Sequence, residues 1–330
     1  MSKGFVTQGI ALLLRQTVTL ADIRESLSGF QIVKEVWETS DWEFGGPSLI
    51  VEYKPSVNGY ISVDVVEHRW PDNMGDPKQD PKLFGAWSMG HFGPYAYPNG
   101  LKRAVEQSWS WKGAAQAVAE HNAFIRIRLS YVFGAGDDDP VMPKDCDPVD
   151  ELLFLTKMVQ ALLAHPAAIC YFNPSGELLM TREMIEEPLR YYAEKNLPAV
   201  NAWCNVRLFN IEDSDPKWIL MDSVGNWQLD FADIEAAFPS GSFAPEDVGQ
   251  FIRDFSLYLA EKGMVVKDGD TTDGPGGIRW QARKFDRGLS DPPREVLRWL
   301  PIGNFHAPVE LIGRPSETAR PEKKPWWRLW

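Results

Sequence analysis

Along this chain the spacing of apolar residues switches between the period of two that a strand needs and the three-to-four spacing of a helix face. An apolar run from Ile10 to Leu14 predicts a buried strand over residues 5–14. Leu20, Ile23 and Leu27 recur at helical spacing, with Thr19 placed as N-cap, Asp22 in the first turn and Gly29 as the stop. Strands are predicted over 31–37, 48–53 and 60–66, which are rich in β-branched and aromatic residues. Asn58-Gly59 between the last two predicts a type I′ hairpin turn, because that turn needs two positive φ values.

Residues 71–100 are punctuated by Pro71, Pro77, Pro81, Pro94 and Pro98 and predict a long connection. Residues 101–121 read as helix, broken near Gly113, and 123–132 as a strand. Leu152, Leu155, Val159 and Leu162 share one face of a helix predicted over 148–164. Further on come strands at 167–172, 199–209 and 218–224 and helices at 182–195 and 245–262. The last helix has Pro at its start and Gly263 past its end. A short helical turn is predicted over 231–238, an edge or final strand over 264–267, and irregular chain from Asp268 onward.

The element order is mixed, not a strict βαβ repeat, and predicts an α+β fold. A length of 330 residues accommodates about two domains. The expected organisation is a small N-terminal mixed sheet with one helix over 1–70, a Pro/Gly-rich connection over 71–100, a larger α+β domain over 101–306, and an aromatic, basic tail over 307–330.

Composition narrows the function classes. With 34 Lys+Arg against 46 Asp+Glu the net charge is -12. No basic footprint for nucleic acid is visible, and an anionic membrane surface would be repelled. A basic protein partner fits, because opposite fields steer association; the acidity equally serves solubility. Cys146, Cys170 and Cys204 are odd in number and widely spaced, which predicts reduced thiols in a cytoplasmic protein. No segment approaches the roughly 20 apolar residues of a membrane span.

Candidate chemistry is sparse. Residues 134–147 hold Asp137, Asp138, Asp139, Asp145 and Asp147. Such carboxylates repel one another and form a solvated loop, a negative surface for a basic cleft, or a weak metal site. Asp268 to Asp273 has hard oxygen ligands but lacks the calcium-loop spacing, so a turn is the simpler expectation. None of the five histidines stands in a metal spacing, and His121 reads as a cation at a helix C-terminus. No nucleophile elbow, P-loop or dinucleotide fingerprint occurs, so no catalytic residue, cofactor or metal is expected. Residues 37–44, with Trp37, Trp42 and Glu43, and residues 86–92 mix aromatics with Gly and polar residues, as anchors of a protein interface do. Residues 301–330 carry 5 basic and 3 acidic residues together with Trp326, Trp327 and Trp330, and are expected to dock on their own domain. The expectation is a protein-binding chain and not an enzyme. An adaptor of a secretion machine and a metal-dependent hydrolase are the alternatives.

The stretch Trp37...Trp42-Glu43-Phe44-Gly45-Gly46, set in an acidic body, resembles bacterial immunity proteins of polymorphic-toxin and type VI secretion systems. More narrowly, it is similar to the Trp-rich immunity family paired with toxins of the restriction-endonuclease fold. Within residues 101–300, the run from Leu152 to Tyr171, Met221-Asp222-Ser223-Val224-Gly225 and Val266-Lys267-Asp268-Gly269-Asp270-Thr271 are similar to an uncharacterised bacterial domain family. The resemblance implies a cytoplasmic inhibitor that neutralises a secreted antibacterial toxin, basic and nuclease-like. The contact residues expected for it are Asp137, Asp138, Asp139, Asp145, Asp147, Trp37, Trp42 and Glu43.

Overall fold

A computed structural model of the chain describes residues 5–37, 42–133, 142–144, 146–211 and 216–313. The fold is α+β and divides into two compact units. The first comprises Met1–Asn205 with Val224–Phe231, the second Val206–Ser223 with Ala232–Trp330.

In the first unit the elements are β1 (Gln8–Leu14), α1 (Leu20–Ser26), β2 (Ile32–Val36), β3 (Ser48–Lys54), β4 (Gly59–Val66), α2 (Pro81–Ser88), α3 (Gly100–Glu106), α4 (Ala114–Ala119), β5 (Ala123–Ser130), α5 (Pro148–Leu162), β6 (Ala168–Asn173), β7 (Leu178–Met180) and α6 (Arg182–Lys195). The seven strands form one antiparallel sheet in the order β2-β3-β4-β5-β1-β6-β7. Residues 1–70 therefore close no sheet of their own, since β4 pairs with β5 and β1 pairs with β5 and β6. A strand with both neighbours supplied from residues 123–173 cannot belong to a separate domain.

Side chains alternate across this sheet, and each face has its own cover. One face packs on α1 and α5. The other carries Leu13, Val66, Phe124 and Phe172 and is covered by Trp70, Leu83, Trp87 and Phe92. The expected connection over 71–100 is thus part of the core and contains α2, with Pro81 at its first turn and Asp80 as N-cap. Proline is well tolerated at that helical position, so Pro81 marks an element start. Thr19 and Asp22 form a reciprocal capping box on α1. The turn before β4 also differs from expectation. Residues Pro55–Val57 make a 3-10 turn and only Asn58 takes a left-handed φ, of 59°. Type I′ geometry would require Gly59 to follow it there.

The second unit contains β8 (Asn205–Ile211), β9 (Trp218–Val224), β10 (Asp233–Pro239), α7 (Pro245–Lys262), β11 (Thr271–Gly274), β12 (Ile278–Phe285), β13 (Val296–Pro301) and α8 (Val309–Ile312). Its sheet runs β11-β12-β13-β10-β9-β8, with β10 parallel to β13. Three expectations fail. The expected helical turn over 231–238 is instead occupied from Asp233 by strand β10, buried nearly throughout, so its Ala and Glu residues show no alternation. Residues 264–267 form no strand, because the Lys267 amide donates to Asp270 Oδ2 at 2.7 Å in a turn. Beyond Asp268 the chain supplies three strands, not irregular structure. The predicted strand over 199–209 begins late, after a 3-10 turn at Val200–Ala202. One sheet face packs on α7 through Phe251, Phe255, Trp280 and Trp299, with ring centroids 4.4–5.8 Å apart. The other face buries Trp218, Leu220, Leu300 and Leu311. Leu311, placed in the expected tail, is therefore core; Trp326, Trp327 and Trp330 lie outside the described residues. Among the described residues no helix is long and apolar enough to cross a membrane.

Candidate partner surface and buried charge clusters

Trp37 follows β2, is 65% exposed, and donates its indole N–H to Glu35 Oε2 at 3.0 Å. Trp42 is half-buried, with ring centroids 5.0 Å from His91, 5.6 Å from Phe44 and 6.5 Å from Phe92. Glu43 is exposed and lies 3.8 Å from His68 Nε2. Trp42 and Glu43 line an open pocket together with Gln79, Asp80, Pro81 and Lys82. Two of the expected contact residues are thus brought together, with partners from the start of α2 that the sequence reading missed. Asp147 has a structural task instead: its Oδ1 accepts from the amides of Val149 and Asp150 and caps α5. Asp137, Asp138, Asp139 and Asp145 lie outside the described residues.

Near Trp42 lies the first buried charge cluster. Asp64 on β4 accepts from Arg126 Nε at 2.7 Å and from Arg128 Nη2 at 2.8 Å, and Ser62 donates to its other oxygen. Burial pushes the Asp64 carboxyl upward, but the Arg128 and Arg126 charges beside it outweigh burial and hold it well below the carboxylate range. Arg128 Nη1 donates to His91 Nδ1 at 2.8 Å. Burial, and then the charges of Arg126 and Arg128, push His91 down to about 2, so the imidazole is a neutral acceptor. Arg126 itself is lowered to about 10, first by burial and then by Arg128.

His121 departs from expectation. It is buried, its Nε2 accepts from the Trp70 amide at 3.0 Å, and burial lowers its pKa, so it tethers Trp70 as a neutral ring and is no helix-end cation. Of the stretch Asp268 to Asp273 only the start is a turn, residues 271–273 belonging to β11, and its carboxylates are engaged. Asp268 pairs with Arg283 at 3.3 Å and Asp273 with Arg279 at 3.1 Å. Cys146 donates to the buried Glu151, which also accepts from Tyr131 at 2.7 Å and Gln8 at 3.1 Å.

The second cluster lies in the second unit. Asp222 and Glu235 are directly opposite in the β9–β10 register, as are Glu235 and Arg298 in the β10–β13 register. Arg207 Nη2 lies 2.7 Å from Asp222 Oδ2, and Arg298 Nε 2.7 Å from Glu235 Oε2. Arg294 pairs with Asp222 and, through Nε at 3.1 Å, with Asp233. All six are buried. Burial raises the Asp222 carboxyl, and Arg207 and Arg294 more than reverse it. Three cations and three carboxylates balance, which is what an interior tolerates. The sequence signal for this cluster is charge at buried positions of otherwise apolar strands: Asp222 in β9, Asp233 and Glu235 in β10, and Arg298 in β13.

A protein-family profile described as Domain of unknown function (DUF4261) matches residues 222–300. The matched stretch runs from β9 through β13 and contains every member of the second cluster except Arg207. It covers the last part of the segment for which an uncharacterised domain family was expected. No curated protein and no solved structure matches the chain.

Proposed function

We propose that the chain is an immunity-type inhibitor, which binds and neutralises a cognate secreted antibacterial toxin by direct contact. The observation that carries this reading is the open pocket of the first unit that Trp42 and Glu43 line; Trp37, 65% exposed, is a second solvent-facing indole of the same unit. Indole rings accessible to solvent beside carboxylates are the composition of interface hot spots. A net charge of -12 selects a basic partner and accelerates encounter with it. A nuclease cleft built for phosphates is such a partner. The Trp-rich immunity resemblance rests on the same residues.

The test is affinity capture of the tagged chain from its native cells, with mass spectrometry of the eluate. The expected result is stoichiometric recovery of one basic toxin whose activity the purified chain abolishes. Recovery of secretion-machine components alone, without neutralisation, makes the chain an adaptor. An empty eluate from cells expressing the neighbouring genes removes the inhibitor reading.

A further inference from the structure

We propose that the pocket beside Trp42 receives one cationic side chain, an arginine or lysine, of the partner protein. The inference rests on the inhibitor reading and adds the chemistry of the residue that anchors the complex. The pocket has a volume of about 320 Å³. That is the lower end of the roughly 300–1,000 Å³ of small-ligand sites, and it suits one long side chain.

Its walls select charge. Trp42 supplies an aromatic surface held in place by His91, Phe44 and Phe92. A cation over an indole face is attracted by the ring quadrupole, more strongly as water is excluded. Glu43 and Asp80 are the two carboxylates of the lining. Among the described residues the basic group nearest Glu43 is His68 Nε2, at a loose 3.8 Å, so the carboxylate remains open to a guest. Asp80, the N-cap of α2, accepts from the Leu83 amide through Oδ1 at 3.4 Å and adds its negative charge to the rim. A guanidinium adds planar, forked donors that match a carboxylate while its flat face stacks on the indole. The one cation in the lining, Lys82, is exposed and has a stem long enough to turn its ammonium into water. An anionic guest would meet two carboxylates, and a neutral one would forgo both attractions.

The probe is Nα-acetyl-arginine methylamide, titrated into the ¹⁵N-labelled full chain, with the isosteric and neutral citrulline derivative as control. The expected result is a saturable shift of the Trp42 indole and Gln79 side-chain resonances with arginine and none with citrulline. The response is lost in Trp42→Ala and in the Glu43→Gln/Asp80→Asn double variant, and strengthened in Lys82→Ala. Equal shifts with both probes, or none with either, overturn the pocket. Against the captured toxin, the Trp42 and carboxylate variants are expected to weaken binding roughly tenfold to a hundredfold, the hot-spot range. A toxin bound with unchanged affinity by folded variants removes the pocket and leaves the inhibitor. An arginine response in a chain that neutralises no toxin leaves the pocket and removes the inhibitor.

Discussion

Asp64 on β4 and Arg126 on β5 stand directly opposite one another in the sheet register, and the carboxylate accepts from Arg126 Nε at 2.7 Å. Arg128, two residues on and therefore on the same face, reaches the same oxygen at 2.8 Å. Removing the carboxylate would strand the buried Arg126 and leave the part-buried Arg128 without its carboxylate. Asp64→Asn is expected to cost about 3–5 kcal/mol in urea unfolding, the range for breaking a buried pair. Replacing all three with apolar residues of similar volume should recover most of that loss. A cost below about 1 kcal/mol for the single change would mean that the charges are solvated.

In the second unit the forked guanidinium of Arg294 bridges two carboxylates, Asp222 and Asp233, and also donates to the Ser223 carbonyl at 2.9 Å. A lysine keeps the charge but cannot span both acceptors. Arg294→Lys is expected to lose about 2–4 kcal/mol, because one buried carboxylate is left without its partner. Limited proteolysis should then cut first within residues 206–223 or 232–313. Unchanged resistance would show that the bridge is dispensable.

These networks explain what the sequence disclosed and what it withheld. Helices α6 and α7 and strand β9 appear at the predicted bounds, since caps, Pro245 and Gly263 punctuate them. Strand β10 lies between β9 and β13 and is buried nearly throughout, so it lacks the alternation by which strands are recognised. At the candidate site, Trp37, Trp42 and Glu43 could be picked out by residue type. Gln79, Asp80 and Lys82 could not, because only the packing of α2 brings them to Trp42. The buried charges were visible as Asp64, Arg126 and Arg298 inside apolar strands, but strand register chooses their partners, and register is not written in any one segment.

His91 supplies a pH dependence with a definite sign. Its folded pKa, pushed down to about 2, lies below the ordinary value of 6.5. Between those values the unfolded chain binds a proton that the folded chain refuses. Its contribution to stability is therefore complete above pH 6.5 and is lost as pH falls, with a slope of at most about 1.4 kcal/mol per pH unit. His91→Gln keeps an acceptor for Arg128 and does not titrate. The variant should show a shallower loss of urea midpoint between pH 6.5 and 4.5, and an identical slope would mean that His91 protonates in the folded state.

Gly46 holds the chain that follows Trp42 and Glu43 against the sheet. A Cβ there would lie 1.7 Å from the Val65 carbonyl oxygen, a backbone atom that cannot swing aside. Gly46→Ala is expected to destabilise the first unit by about 1–3 kcal/mol, as overpacking does. It should also broaden the Trp42 indole resonance. Wild-type stability in this variant would place residues 42–47 away from β4.

Trp37 separates stability from recognition. Its ring is mostly in water and its described hydrogen bond goes to a neighbouring carboxylate, so Trp37→Ala should change unfolding free energy by no more than about 0.5 kcal/mol. Loss of a hot-spot indole nonetheless costs about 2 kcal/mol or more in a complex. The same variant should therefore bind the captured toxin at least tenfold more weakly, mainly through faster dissociation. Salt should act on the other rate. Screening between about 0.05 and 0.5 M salt shortens the reach of the acidic field and lowers the association rate of wild type and variant alike. Parallel salt dependences, offset only in dissociation, would assign steering to the net charge and anchoring to Trp37. A variant that loses stability as much as affinity would make the indole part of the fold.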